Sequence, residues 1–309
     1  MLVIVFALNF FVGKKVNCKI AAMWLAKVIP ILEENFALLG FGEEANYSLS
    51  QIKYDEFEYY ASGRDNCKYL FMSLKTKKRQ DVITGGLLGL LWPDEDKMIL
   101  DIPIEASLPL EFMICRKQNV KRTQQEMPNI KNLISVMKSD KLKATNFAVL
   151  AETNEVSDLM LNSKLVAGLT KYEKYIEFLH ITDQQVYTNY PLVLKAEILF
   201  GDSPAEYNDS VKVIELILDL VDFVATAVKL PARVLDVAKK NRSAEDKKKE
   251  KESREKKEEE IQQKKEEKER ELREKLKKLA PDERRKLEEK IKMDNKKKEM
   301  KGKNKVIKF

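Results

Sequence analysis

FEYYASGRDNCKYLFMSL, residues 57–74, decides the fold. Residues 57–61 and 67–74 are dense in aromatic and aliphatic side chains that suit a pleated strand, and Ser62-Gly63-Arg64-Asp65 between them has turn composition. The segment therefore predicts two strands joined by a turn. Similar runs follow downstream. KMILDIP (97–103) and LEFMICR (110–116) read as another pair of strands, NFAVLA (146–151) as a short buried strand, and LVLKAEILF (192–200) as a strand closed by a turn at 201–204.

Helical periods separate these runs. In residues 19–39, Ile20, Met23, Trp24, Ile31 and Leu32 recur at three- and four-residue spacing and predict one apolar face. Pro30 should kink or restart that helix, and Gly40 and Gly42 should end it. Residues 77–91 predict a glycine-weakened helix stopped by Pro93, whose glycines do not form a phosphate loop. Residues 120–138 predict an amphipathic helix interrupted near Pro128. Residues 152–161 and 163–179 predict two more, the second capped by Ser163. Residues 209–237 predict a long apolar helix with Val213, Ile214, Ile217, Leu220, Val221 and Val224 toward the core and a bend near Pro231. Strand pairs alternating with helices, without an internal repeat, imply an α+β domain with a mostly antiparallel sheet.

Composition breaks near Ala238. Residues 239–309 carry 30 basic and 19 acidic side chains, a net +11, whereas the formal charge of the 309-residue chain is +7 and the body before the break is about −4. The basicity belongs to the tail, a pattern of arms that meet nucleic acid, ribosomes or anionic membranes. Glu252–Lys256, Glu260–Lys264 and Glu271–Lys275 stand at helical i,i+4 spacing. Ile261, Leu272, Leu276, Leu279, Leu287 and Ile291 are too sparse for a sustained heptad seam, so a lone charged helix is expected, restarted at Pro281. Residues 296–309 are basic and expected to be disordered when free.

The chain opens on MLVIVFALNFFV, followed by Gly13-Lys14-Lys15. About 12 apolar residues fall short of the roughly 20 that a spanning helix needs. Three readings stand: the second half of a membrane span, a short interfacial anchor, or a buried strand or helix. The first is preferred, with the lysine pair marking the cytosolic side and Leu2, Val3, Ile4, Val5, Phe6, Leu8, Phe10 and Phe11 as anchor residues. The expected organisation is an apolar anchor remnant (1–15), a cytosolic α+β domain (16–238), a charged helical tail (239–295) and a basic C-terminus (296–309).

Catalytic chemistry is not legible. His180 is the one histidine and has no readable nucleophile partner, so it is expected at a helix end near the surface. Cys18, Cys67 and Cys115 are widely spaced and suit reduced, buried thiols rather than a zinc site. Asp94-Glu95-Asp96 suits a solvated turn, and the sequons at Asn46, Asn208 and Asn241 would matter only in a lumen. No enzyme activity, cofactor or metal is expected. The tail is the feature with a mechanism: Lys296, Lys297, Lys298, Lys301, Lys303, Lys305 and Lys308 can displace counterions from phosphates without base specificity. A peripheral protein binding RNA or the ribosome through this tail is the main alternative reading. A lipid-binding module whose apolar start lies in the membrane interface is another.

FVGKKVNCKIAAMWLAKVIPILEENFALLG (11–40) resembles the segment that follows the membrane span in the calumin family, coiled-coil-domain-containing ER membrane proteins also known as DUF1682. ASGRDNC (61–67), KRQD (78–81), AVLAETNEVSDLM (148–160), PDERRKLEE (281–289) and the ending KGKNKVIKF have counterparts there in the same order. The resemblance implies a single-span ER protein with a cytosolic α+β domain and a charged helical tail. It implies action with a small partner, Asterix, as the PAT complex. That complex shields transmembrane helices of nascent multipass proteins beside the Sec translocon and the ribosome. Links to ER calcium homeostasis and ER-associated degradation are implied as well. The family's acidic luminal region has no counterpart in these residues, so luminal calcium binding is not carried over.

Overall fold

The computed structural model describes residues 2–41, 49–80, 95–201 and 203–278. It divides into two compact units, Met1–Ser243 and Ala244–Phe309. In the first unit the described residues form one antiparallel sheet. Its strands are β1 (Leu38–Leu39), β2 (Ser50–Gln51), β3 (Glu56–Ser62), β4 (Tyr69–Lys75), β5 (Lys97–Pro103), β6 (Phe112–Arg116), β7 (Ser135–Met137), β8 (Phe147–Ala151), β9 (Ile176–Thr182) and β10 (Val193–Leu199). They run in the order β1-β3-β4-β5-β10-β9-β6-β8-β7, with β2 on β3. The helices are α1 (Leu2–Asn35), α2 (Val120–Glu126), α3 (Pro128–Lys131), α4 (Asn154–Met160), α5 (Ser163–Lys171), α6 (Pro204–Thr226) and α7 (Ala232–Lys278).

The hairpin of residues 57–74 forms as its sequence predicts. Strands β3 and β4 pair from Glu56↔Lys75 to Ser62↔Tyr69, and Gly63 (φ +81°) and Asn66 (φ +70°) turn the chain between them. Arg64 donates to both carboxylate oxygens of Asp222 at 2.7 and 3.4 Å, and Asn66 Nδ2 donates to Asp222 Oδ1 at 2.9 Å, so α6 holds the turn down. Period-2 alternation puts Leu70, Met72 and Leu74, then Met98, Leu100 and Ile102, on one face of the sheet. Against it pack Trp24, Leu25, Val28 and Leu32 of α1 and the six predicted core residues of α6. Trp24 stacks on Phe200 at 4.6 Å. Each fully buried Leu, Ile or Val in this layer contributes roughly 1.5–3 kcal/mol.

A smaller apolar cluster occupies part of the opposite face, where Ile130, Leu133 and Ile134 cover Met113, Cys115, Ala148, Leu150 and Phe178 of β6, β8 and β9. Burial pushes the Cys67 and Cys115 thiols up to about 11.

Several expectations are corrected. The apolar start and the helix expected at 19–39 are one helix, α1, which ends at Asn35 and continues through Pro30. Pro30 is solvent-exposed, where water can satisfy the carbonyl it leaves unbonded. Met23 is exposed rather than on the core face. The helix expected over 163–179 stops at Lys171, and 176–182 is β9 near the middle of the sheet. Tyr172 and Ile176 continue the helical spacing by coincidence, while IEFLHIT has strand composition. The cap of α5 is Asn162, whose side chain accepts from Leu165 N at 2.7 Å, and not Ser163.

The helix expected to reach 138 ends at Lys131, because 135–137 pairs with β8. The strands at 97–103 and 112–116 do not pair with each other, since β9 and β10 lie between them. The long helix expected at 209–237 is broken at residues 227–231, where Pro231 cannot continue the hydrogen-bond ladder, into α6 and α7. The helix expected at 77–91 does not begin at Lys77, since residues 77–80 are turn and irregular backbone, and its remainder from 81 lies outside the described residues.

Candidate functional site

One residue from each long strand meets its neighbour in register across the second face of the sheet. Tyr60 of β3 faces Phe71 of β4, which faces Asp101 of β5, then Lys195 of β10, His180 of β9, Met113 of β6 and Leu150 of β8. The row passes from aromatic to acidic to basic to imidazole to aliphatic. Directly opposed residues on antiparallel strands share a face, so the row runs unbroken across the sheet, partly open at Tyr60 and Phe71 and buried at His180, Met113 and Leu150.

Its middle is a connected polar network. Lys195 Nζ lies 3.1 Å from Asp101 Oδ1 and 4.4 Å from the centre of the Tyr187 ring. The Tyr187 hydroxyl is 2.7 Å from His180 Nδ1. His180 Nε2 is 2.5 Å from Glu111 Oε1, and the Thr182 hydroxyl donates to Glu111 Oε2 at 2.7 Å. Burial pushes the Tyr187 phenol well above its ordinary range, and the charges of Glu111, Asp101 and Glu197 push the same way. His180 and Glu111 are both fully buried. His180 is thus not a surface residue at a helix end: β9 carries it inside, and both ring nitrogens are occupied. The arrangement holds strands together and offers no open nucleophile or base.

Two grooves flank the network. Leu38, Phe41, Tyr60, Tyr69, Phe71, Asp101 and Tyr187 line one of about 620 Å³. The other, about 320 Å³, lies toward α2 and is charged: Lys97 pairs with Glu197 along its wall, and Glu177 takes hydrogen bonds from Arg116 and Asn119. Among the described residues, no group of three His, Cys, Asp or Glu side chains could hold a metal ion.

The first helix is seated by a polar stripe. Asn9 Nδ2 donates to Arg79 O at 3.2 Å, and Asn17 Nδ2 donates to Lys77 O and Gln80 Oε1 at 3.1 Å each. A Cβ on Gly13 would fall 2.4 Å from the Arg79 backbone, so only glycine admits this approach. Asp96 closes the arrangement, accepting from Lys77 N at 2.7 Å and from both Arg79 terminal nitrogens at 2.7 and 2.5 Å. Asp96 is therefore an anchor and not part of a solvated turn; Asp94 lies outside the described residues. This seating leaves Leu8, Phe11 and Val12 exposed. Phe10 packs edge-on against Tyr54 at 4.8 Å. Leu2, Val3, Ile4, Val5 and Phe6 belong to α1, with their side chains outside the described residues. No described helix is long and apolar enough to cross a membrane.

At the other end of the unit, Arg242 of α7 donates to Asp183 at 2.5 and 2.8 Å and to Glu152 at 2.6 Å. Burial holds the Glu152 carboxyl above its ordinary range although Arg242 draws it down. Burial disfavours the Arg242 charge, but the hydrogen bonds it donates to Asp183 and Glu152 outweigh it and raise the guanidinium. In the second unit α7 continues to Lys278, and Lys251, exposed, lies 3.8 Å from Glu255. Lys296, Lys297, Lys298, Lys301, Lys303, Lys305 and Lys308 lie outside the described residues.

Sequence reasoning identified the strands that carry the row except β9, which it read as helix, and it did not identify the network within the row. Its partners, Glu111, His180, Thr182 and Tyr187, meet through pairing of strands distant in sequence. The alternation of Phe178, His180 and Thr182 was the available signal.

The fold is that of an α+β protein built on one antiparallel sheet, with a polar network and two grooves on its second face. The profile of the family described as PAT complex subunit CCDC47 matches residues 1–301, and the chain belongs to that family. It is 30% identical to an uncharacterized protein of Arabidopsis thaliana over 239 residues, 72% of this chain and 48% of that protein. It is 28% identical to the PAT complex subunit CCDC47 of Xenopus laevis over 72% of this chain and 50% of that one. The Homo sapiens protein of the same name is also 28% identical, over 58% and 39% respectively. The chain spans about half the length of the curated relatives it matches. Among solved structures it resembles the mycobacterial trehalose monomycolate transport factor A, TtfA, with a TM-score of 0.31 and 9% identity over 59% of this chain and 74% of that one, too remote a likeness to inform fold or function.

Proposed function

We propose that this chain is a non-enzymatic subunit of an ER-membrane complex of the PAT kind, assisting insertion of multipass membrane proteins at the ribosome and Sec translocon. One observation carries the reading: the family profile runs along residues 1–301, through body and tail alike. Residues 1–15 then act as a membrane anchor, 16–238 as a cytosolic docking scaffold, 239–295 as a charged spacer and 296–309 as a basic tip. The exposed Leu8, Phe11 and Val12, followed by Lys14 and Lys15, suit an apolar segment meeting lipid beside a cytosolic lysine pair. Lys296, Lys297, Lys298, Lys301, Lys303, Lys305 and Lys308 suit salt-sensitive contact with ribosomal RNA phosphates. A small Asterix-like subunit and nascent membrane proteins are its partners, and effects on ER calcium and ER-associated degradation follow through its clients.

Affinity purification of the tagged protein from membranes in mild detergent tests the reading. Recovery of ribosomes, Sec translocon subunits and an Asterix-like protein together is the expected result. Recovery of ribosomes or RNA without membrane partners replaces it with a peripheral protein acting through the basic tail. Deleting residues 296–309 should weaken ribosome co-sedimentation and flatten its salt dependence. Equal sedimentation at every salt concentration overturns the electrostatic role.

A further inference from the structure

We propose that the aromatic groove on the open face of the sheet binds a trimethylammonium group, the cation shared by free choline and choline-lipid headgroups. Phe41, Tyr60, Tyr69, Phe71 and Tyr187 line one groove of about 620 Å³, with Asp101 in its wall. The rings are neighbours: Phe41 lies 6.1 Å from Tyr60, Tyr60 lies 5.4 Å from Tyr69, and Tyr69 meets Tyr190 edge-on at 5.7 Å. Aromatic faces carry negative quadrupole potential and attract cations.

The molecule itself displays this chemistry at one end of the groove. The Lys195 ammonium rests 4.4 Å over the Tyr187 ring and 3.1 Å from Asp101. That pair selects what else can enter. The Asp101 charge is already matched by Lys195 at 3.1 Å, so a second primary ammonium would lose hydration with no net negative charge to offset it. A quaternary ammonium donates no hydrogen bonds and needs only the ring faces and a low-dielectric wall, which Tyr60, Tyr69, Phe71 and Phe41 supply. Leu38 and Phe41, 52% and 44% exposed, stand at the groove and give an apolar surface beside the cation. The inference rests on the groove alone and is independent of the proposed function.

The test titrates the full chain with choline and with its neutral isostere 3,3-dimethyl-1-butanol, followed by isothermal calorimetry and by aromatic NMR shifts. Choline should bind at least about fivefold tighter than the neutral alcohol. Tyr60→Phe, which keeps the ring, should bind like wild type. Tyr60→Leu and Tyr69→Leu, which keep apolar bulk, should each lose about threefold or more in choline affinity while retaining the wild-type unfolding midpoint. Monomeric dodecylphosphocholine separates the sources: tenfold tighter binding than choline assigns the site to a lipid headgroup, and equal binding assigns it to the free cation. Equal binding of choline and its isostere, no saturable binding of choline, or leucine variants that bind choline like wild type would each overturn the proposal.

Discussion

The two faces of the sheet are made by the same strands and differ in what covers them. On one face Met72, Leu100, Leu194 and Ile181 share one apolar cluster with α1 and α6. On the other, Phe71, Asp101, Lys195 and His180 alternate with those residues along the same strands, and α2 and α3 cover only the β6–β8–β9 end. A covered face requires only apolar volume. A partly open one can hold charge, aromatic rings and a network whose members satisfy each other. The stability of this protein should therefore reside in the first face and its recognition in the second.

Removing Trp24 strikes the covered face. Trp24→Ala deletes the ring stacked on Phe200 and should cost about 4 kcal/mol in denaturant unfolding. A loss below about 1 kcal/mol would mean that the face is looser than its burial implies. Glu111→Ala strikes the buried part of the other face. It strands His180 and Thr182 and should cost about 3 kcal/mol, whereas a Glu111→Leu/His180→Leu double variant should cost less than the two single variants together. Additive losses would show that the network does not act as a unit.

Arg242→Ala should cost about 2 kcal/mol near neutral pH by leaving Glu152 and Asp183 unmatched. Its pH dependence has a definite sign. A carboxyl held above its unfolded value of 4.5 retains its proton more tightly in the folded state, so the contribution of Glu152 to stability declines as pH rises from that value through the folded one. Without Arg242 that decline steepens. The gap between variant and wild type should be narrow near about pH 4 and wide near about pH 7, and a gap that shrinks on going from acid to neutral would contradict the assignment. At the small end, Lys251→Ala on the exposed part of α7 should change stability by less than about 0.5 kcal/mol.

The two faces were also unequally legible in the sequence. Alternation in YLFMSLK and KMILDIP and the spacing of Val213, Ile214 and Ile217 report burial, because burial acts residue by residue. Residues 176–182 escaped because the preceding helix, ending at Lys171, lends its period to Tyr172 and Ile176. With β9 misplaced, His180 lost its neighbours on both sides. The contacts of Glu111 with His180 and of Asp101 with Lys195 join residues 69 and 94 positions apart, and spacing within one segment contains no record of them. The break between α6 and α7 was indicated by Pro231, but the fixing of α7 by Arg242 depends on two carboxylates from other loops.

The order of strands sets a timetable for the chain as it is made. Strands β3, β4 and β5 form a local meander, yet the free edge of β5 is completed only by β10, from Lys97↔Leu199 to Pro103↔Val193. Some ninety residues must be synthesised before that partner exists, and α6, which shields the same layer, follows later still. During translation the meander therefore waits with an unpaired edge and an apolar side that α1, made first, covers without α6, a state open to wrong partners. The last hairpin, β9–β10, is the clasp that joins the early half of the sheet to the β6–β7–β8 half. A ribosome stalled before residue 199 would carry two unfinished sheets, and one stalled well beyond α6 a closed one.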